Sequence, residues 1–131
     1  MNYLLDTTIL LEVLRASPSQ RLVRRLAQVP TSERFTSAIT VSQILLAARR
    51  QHDTRLMQDV IRLVAAIRVA PYDLAAAQSF AKLRATVAGD CETDDVMIAA
   101  IALSRGYLFV TRRHELFARF TDLHIEDWMA S

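Results

Sequence analysis

Short apolar runs alternate with longer stretches of helical spacing along this chain, and that alternation limits its fold more than any other feature. The apolar runs that fit strands lie at residues 3–5, 35–39, 69–72, 107–110 and 123–125. Apolar residues at helical spacings fill most of the chain between them, most clearly at Leu56, Val60, Leu63, Val64 and Ile67. Strands and helices in this order predict an α/β fold of three layers, α/β/α, with a central parallel sheet of four or five strands.

Capping and breaking residues set the predicted helix ends. Residues 6–8 can cap a first helix, and Pro18 is expected in the first turn of the second. One buried stripe is predicted on that second helix, formed by Leu22, Val23, Leu26 and Val29. Thr40 is expected to open the third helix, and Asp53 or its neighbour to cap the fourth. Residues 96–103 are apolar on every side, which predicts a buried helix.

Size and composition fit one folded unit. At 131 residues the chain suits a single domain, residues 1–131, and its 52% of hydrophobic residues is enough for a core. Of the 16 basic residues only Lys82 is not an arginine, which suits a phosphate-rich partner without requiring one. The single cysteine excludes an internal disulfide, and only two glycines occur, which excludes a P-loop or a GxGxxG turn. We expect a cytoplasmic protein with no membrane span and no targeting segment.

Acidic residues follow a strand and precede a helix at two places. Asp6 comes directly after the first predicted strand, at the sheet edge where parallel α/β folds bind ligands. A carboxylate there can bind a metal, act as a nucleophile or cap the next helix. The second place is the acidic segment DCETDD, residues 90–95, before the buried helix. Acids at a helix N-terminus are favourable, but four together repel one another, and a divalent cation would relieve that repulsion.

Four segments resemble successive blocks of bacterial PIN-domain toxins of the VapC type. They are LLDTTILLEVLR, TSAITVSQILLAARR, DDVMIAAIALSRGYLFVT and LHIEDW, in that order along the chain. The resemblance implies a PIN-like fold with a metal-dependent endoribonuclease site that uses Mg²⁺ or Mn²⁺. It also implies an RNA substrate, a cognate VapB-like antitoxin and a homodimer.

The resemblance assigns roles to particular residues. The expected site residues are Asp6 and Asp95 as catalytic metal ligands, Gln43 at a third catalytic position, Thr8, Asp94 and Glu92 as auxiliary residues, and Arg112 and Arg113 as RNA contacts. Helix capping is the preferred interpretation for Asp94 and Glu92, with a place in the site as the alternative.

Two positions depart from the family pattern. The family usually has glutamate where ITVSQ has Gln43, and asparagine or aspartate where VTRRH has Arg113. Gln43 keeps the size of glutamate but loses its charge, unless it is simply an exposed residue without a role. Arg113 is expected either to contact phosphate or to point into solvent. Both departures weaken a cation site, so the alternative function is a catalytically disabled PIN module that binds RNA or antitoxin without cleavage.

A phosphotransferase of the haloacid-dehalogenase class is a further alternative, with Asp6 as its nucleophile. Such enzymes carry a second aspartate two residues later, where this chain has Thr8. The departure disfavours that class.

Overall fold

Five short strands form the central sheet of the computed structural model, which describes residues 1–87 and 89–130. Their bounds are β1 (Tyr3–Leu5), β2 (Arg34–Ser37), β3 (Arg68–Ala70), β4 (Leu108–Val110) and β5 (Ile125–Glu126). They lie in the order β3-β2-β1-β4-β5, and every neighbouring pair is parallel. The predicted parallel sheet is therefore confirmed, with five strands.

Helices cover both faces of this sheet. Their bounds are α1 (Thr7–Val13), α2 (Gln20–Ala27), α3 (Ala38–Arg50), α4 (Thr54–Ala66), α5 (Leu74–Thr86), α6 (Thr93–Arg105) and α7 (His114–Phe117), with a short 3₁₀ turn at Thr31–Glu33. One core cluster packs side chains of α5, α6 and α7 against the sheet, and a second packs those of α1, α2 and α4. The predicted three layers are confirmed. In the described part of the chain, no helix is long and apolar enough to cross a membrane.

Alternating side chains of the strands divide the core between the two faces. Leu4 and Phe109 lie in the cluster with α5 to α7, whereas the next residues, Leu5 and Val110, lie in the cluster with α1, α2 and α4. This is the alternation that a pleated strand imposes. All four side chains are almost completely buried. The α6 helix is the buried helix that the sequence predicts, since residues 98–102 have no exposed surface.

Two helix starts differ from the prediction because a serine caps each of them. Ser37 ends β2 and accepts a hydrogen bond on its Oγ from the Thr40 backbone N–H at 2.9 Å, so α3 begins at residue 38 rather than at Thr40. Ser19 caps α2, which leaves Pro18 before the helix instead of in its first turn. Val23, expected on the buried stripe, is 47% exposed. Asp53 caps α4 as predicted, accepting from a backbone N–H at 2.9 Å.

The two outer strands also lie one to two residues from their predicted places. The third strand ends at Ala70, just before Pro71, which has no N–H to donate to a neighbouring strand. The last strand occupies residues 125–126 instead of 123–125.

The order of the strands reverses at β1. From β1 the chain first builds β2 and β3 on one side, and it then crosses through α5 and α6 to place β4 on the other side. The carboxyl ends of β1 and β4 therefore flank the switch point, where open α/β sheets bind their ligands. Because α6 leads back into β4, its N-terminus lies at the same edge as those strand ends.

Candidate active site

Asp6 lies at the end of β1 and is completely buried. Its Oδ2 accepts hydrogen bonds from the Thr111 hydroxyl at 2.7 Å and from the Thr8 hydroxyl at 3.3 Å. Although Asp6 occupies the N-cap position of α1, its side chain makes no capping hydrogen bond. Capping therefore does not explain the carboxylate, which faces the switch point instead.

Asp95 lies in the first turn of α6 and is 6% exposed. Its Oδ1 is 3.0 Å from Nη2 of Arg113, and the same nitrogen is 3.2 Å from Oδ1 of Asp6. One nitrogen atom thus contacts both carboxylates, so the two acids face each other on one side of the sheet. The expectation that they lie near enough to share a cation agrees with this geometry, and their role as metal ligands stays a prediction.

The Arg113 guanidinium fills the space between the two carboxylates. Besides the contacts of Nη2, its Nε donates to Oδ2 of Asp6 at 3.3 Å, and the guanidinium carbon lies 5.0 Å from the ring centre of Phe117. Burial would lower the pKa of Arg113, but the charges and hydrogen bonds of Asp6 and Asp95 outweigh burial and raise that pKa above its ordinary value. Arg113 is therefore a permanent positive charge inside the site, and the expectation that it points into solvent is wrong.

Gln43 lies on α3 and contacts Asp94, which precedes Asp95 in α6. Its Oε1 accepts a hydrogen bond from the Thr7 hydroxyl at 2.7 Å, and its Nε2 donates to Oδ2 of Asp94 at 3.3 Å. The side chain is partly buried and both ends of its amide are paired. The alternative of an exposed residue without contacts does not describe it.

The remaining predicted residues lie around this centre. An open pocket is lined by Gln43, Glu92, Thr93, Asp94, Asp95 and Arg113. Glu92 holds the N-cap position of α6 but makes no capping hydrogen bond with its side chain, so its contribution is charge at the pocket rim. Arg112 is half exposed, pairs with Asp127 at 3.6 Å and donates its backbone N–H to the Thr8 hydroxyl. No observation tests its expected contact with RNA, which stays a prediction.

Thr111 belongs to the site, although sequence reasoning did not single it out. It follows β4 directly, is completely buried, and donates to Asp6 while its oxygen accepts the Arg113 backbone N–H at 3.0 Å. The available signal was its place, because a polar residue directly after a buried strand occupies the same edge as Asp6. Thr7 was considered only as a capping residue, and its contact with Gln43 depends on a packing of α1 against α3 that the sequence does not show.

The donor set can be compared with what a divalent cation needs. Across residues 1–87 and 89–130, no group of three or more acidic, histidine or cysteine side chains is arranged to hold a metal ion. Two carboxylates nevertheless converge, and the guanidinium between them marks a point where positive charge is held. Mg²⁺ prefers oxygen ligands and is commonly bound by one or two carboxylates with water completing its shell. Asp6 and Asp95 therefore fit such a cation, on the condition that Arg113 moves aside.

Known proteins resemble this chain over nearly its whole length. Residues 3–122 match the family model described as the PIN domain. The tRNA(fMet)-specific endonuclease VapC of Shigella flexneri is 30% identical over 132 residues, which cover 98% of each chain. Toxin FitB of Neisseria gonorrhoeae is 31% identical over 120 residues, which cover 83% of this chain and 86% of FitB.

Solved structures agree with these sequence matches. The DNA-bound VapBC complex of Salmonella typhimurium contains a chain with a TM-score of 0.82 at 27% identity, and 98% of each chain is covered. A chain of the FitAB complex bound to an IR36 DNA fragment has a TM-score of 0.80 at 26% identity, covering 98% of this chain and 96% of that one. The chain therefore belongs to the PIN-domain family, among the toxins of the VapC type.

Proposed function

We propose that this chain is the toxin of a toxin–antitoxin pair and that it cleaves RNA as a divalent-metal-dependent endoribonuclease. The convergence of Asp6 and Asp95 on one cationic position at the switch point of the sheet carries the proposal. A relative that is 30% identical over nearly the whole chain is named a tRNA(fMet)-specific endonuclease, which supports an RNA substrate.

Different residues of the site would bind the metal, position its ligand and contact the RNA. Asp6 and Asp95 would hold Mg²⁺ or Mn²⁺, which when bound polarises the scissile phosphate and lowers the pKa of an attacking water. Thr8 and Thr111 fix the Asp6 carboxylate through two hydroxyl hydrogen bonds, so that it does not reorient during the reaction. Arg112 follows Thr111 directly after β4, and its half-exposed guanidinium supplies positive charge for the RNA backbone.

Gln43, which is uncharged, and Arg113, which is positive, lie close to the carboxylates of the site and reduce the expected rate of cleavage. Gln43 offers an amide oxygen where a carboxylate would hold a hard cation more strongly, and that oxygen is already occupied by Thr7. Asp94 is a further acid that lines the same pocket as Asp95, and its carboxylate accepts a hydrogen bond from the Gln43 amide. We therefore propose Asp94 as the auxiliary acid that positions water, with Glu92 adding negative charge at the rim.

A second candidate function is a PIN module that binds RNA or antitoxin without cleaving. The observation that favours it is the ion pair of Arg113 with both acids, which satisfies them without any metal. The two candidates differ in one measurable respect, because only the nuclease needs Asp6 and Asp95 for turnover.

We further propose that the partner is a VapB-like antitoxin and that the chain forms a homodimer in the cytoplasm. Chains of VapBC and FitAB complexes share this fold at 25% to 27% identity, which supports an antitoxin partner. A short open reading frame next to the gene, whose product copurifies with this chain when the two are coexpressed, would identify the antitoxin. A coexpressed product that fails to copurify would contradict that assignment.

Cleavage of a fluorescently labelled structured RNA in Mn²⁺ tests the nuclease proposal. We expect slow cleavage by the unaltered chain, abolished by chelator and by Asp6→Asn or Asp95→Asn. Asp90→Asn is the matched control, because Asp90 belongs to the same acidic segment but pairs outward with Arg119 at 2.8 Å and is 68% exposed. Cleavage that survives both site substitutions would reject the assignment. RNA binding without cleavage under every metal condition would establish the second candidate instead.

A further inference from the structure

We infer that Arg113 is the resident cation of this site and that it excludes a divalent ion until its guanidinium leaves Asp6 and Asp95. The inference rests on the proposed cation site and adds what controls its occupancy. Arg113 thereby controls whether a divalent ion can occupy the site, in addition to its expected contact with RNA.

The contacts make the two cations mutually exclusive. Nη2 of Arg113 lies 3.2 Å from an oxygen of Asp6 and 3.0 Å from an oxygen of Asp95, so it is on the shared side of both carboxylates. A magnesium ion bound to those oxygens would lie about 2.1 Å from each, within the space of that nitrogen. Nε occupies the second oxygen of Asp6, so the guanidinium blocks both oxygens of this carboxylate.

Burial makes the guanidinium bridge persistent. With Arg113 in place, Asp6 has no exposed surface and the side chain of Asp95 is only 8% exposed, so withdrawal of the guanidinium without a replacement would leave two neighbouring negative charges without their cation. A competing cation must therefore displace the guanidinium. If the open form makes up about 1–10% of the molecules, the apparent metal affinity falls about ten- to a hundredfold below that of an open site.

Arg113 nevertheless has a route out of the site. Its side chain is 34% exposed, and the residue is the N-cap of α7, a helix of four residues at the surface end of β4. The backbone stays anchored by the hydrogen bond from the Arg113 N–H to Thr111, so only the side chain has to rotate. Exchange between an internal ion pair and a bound metal is therefore compatible with a fixed loop.

Calorimetric titration with Mn²⁺, in the absence of RNA, tests the inference. Arg113→Gln removes the charge while keeping a polar side chain of moderate length, and we expect it to bind Mn²⁺ ten- to a hundredfold more tightly than the unaltered chain. The gain should vanish in Arg113→Gln combined with Asp6→Asn. Arg62→Gln is the matched control, because Arg62 pairs with Asp59 on α4 and should leave the affinity unchanged. Equal Mn²⁺ affinity for Arg113→Gln and the unaltered chain would overturn the inference.

Thermal unfolding gives a second readout, which also covers a variant that folds poorly. In chelator, Arg113→Gln should melt below the unaltered chain, and Mn²⁺ should restore most of the difference while changing the unaltered chain little. A variant that folds only when Mn²⁺ is present also supports the inference. A variant that stays unfolded in saturating Mn²⁺ overturns it, because the ion would then be unable to take the place of the guanidinium.

Neither measurement uses RNA, so the inference and the nuclease proposal can fail separately. Tight Mn²⁺ binding by Arg113→Gln, with no RNA cleavage by either the variant or the unaltered chain, would reject the nuclease and support the exclusion of the metal by Arg113. Cleavage by the unaltered chain, with Mn²⁺ affinity that does not depend on Arg113, would do the reverse.

Discussion

Thr111→Val removes a hydroxyl that holds the centre of the site together. The substitution keeps the shape of the side chain but deletes the donor to Asp6 at 2.7 Å and the acceptor of the Arg113 backbone N–H at 3.0 Å. Because Thr111 and Asp6 both have no exposed surface, water cannot replace the hydroxyl at Asp6 without rearrangement of the loop. We therefore expect a loss of folding stability that does not depend on any metal or RNA.

The size of the loss follows from the two hydrogen bonds. A hydrogen bond to a charged group contributes about 1.5–3 kcal/mol, and the part-buried, neutral bond from the Arg113 N–H contributes about 0.5–1.5 kcal/mol. Asp6 keeps its contacts with Thr8 and Arg113, and the new methyl group is buried, so part of this loss is recovered. We expect Thr111→Val to lower the free energy of unfolding by about 2–3 kcal/mol, or the melting temperature by roughly 8–12 °C.

Urea unfolding followed by circular dichroism measures this change, with an unaltered m-value indicating that the unfolded state is the same. Thr111→Ser retains the hydroxyl and should recover most of the stability. Thr86→Val is the control at an exposed helix position, where the hydroxyl donates only to backbone carbonyls of its own helix. This control substitution should change the free energy of unfolding by less than about 0.5 kcal/mol. If Thr111→Val also stays within that limit, the Thr111 hydroxyl does not support the Asp6 carboxylate.

Three further predictions concern the site, the pH dependence and the assembly. Gln43→Glu places a second carboxylate against that of Asp94, at the present 3.3 Å contact. In chelator the repulsion should lower the free energy of unfolding by about 1 kcal/mol, and the added charge should raise Mn²⁺ affinity about tenfold. Melting curves and calorimetry check both, and no change in either would remove Gln43 from the site. Glu12 has a pKa below its ordinary 4.5, because the Arg15 guanidinium and then the Ser19 backbone N–H hydrogen-bond its carboxylate. The ionised Glu12 therefore stabilises the fold above about pH 4.5, and this contribution is lost as the pH falls through the lowered pKa. In Glu12→Gln the free energy of unfolding should fall less steeply with decreasing pH than in the unaltered chain. Equal pH dependence of the two proteins would contradict this. We expect a dimer formed through contacts between helices; light scattering should give the mass of two chains, and a monomer at high concentration would refute the dimer.

The sequence predicted the sheet well because the order of its elements leaves few topologies. Alternation of strands and helices with right-handed crossovers favours a parallel sheet, and the strand ends then gather at one edge. That argument brought Asp6 and the acids before α6 to the same edge. The errors lie at element ends, where an apolar residue such as Ile39 suits a strand or a helix equally, and where the four residues of α7 are too few to show a helical period.

The state of the site could not be predicted in the same way. An arginine side chain has several rotatable bonds, and the sequence does not say which of the nearby partners its guanidinium will choose. The Arg113 guanidinium binds two buried carboxylates, one directly after β1 and one in α6, and the distance between them is set by the packing of these elements. The pairing of Gln43 with Thr7 similarly depends on how α3 lies against α1.

The central place of β1 also determines when this protein can become a folded molecule during synthesis. The first strand to leave the ribosome lies between β2 and β4, and β4 begins only at residue 108. Until that residue has emerged, one edge of β1 has no partner, and its backbone groups are open to other chains. Asp6 likewise lacks its hydrogen-bond partners Thr111 and Arg113 until they are synthesised, more than a hundred residues later. A chain that stops before β4 therefore lacks the strand that pairs with the second edge of β1, and it also lacks two of the side chains that hold Asp6, so the site is complete only after residue 113 has been made.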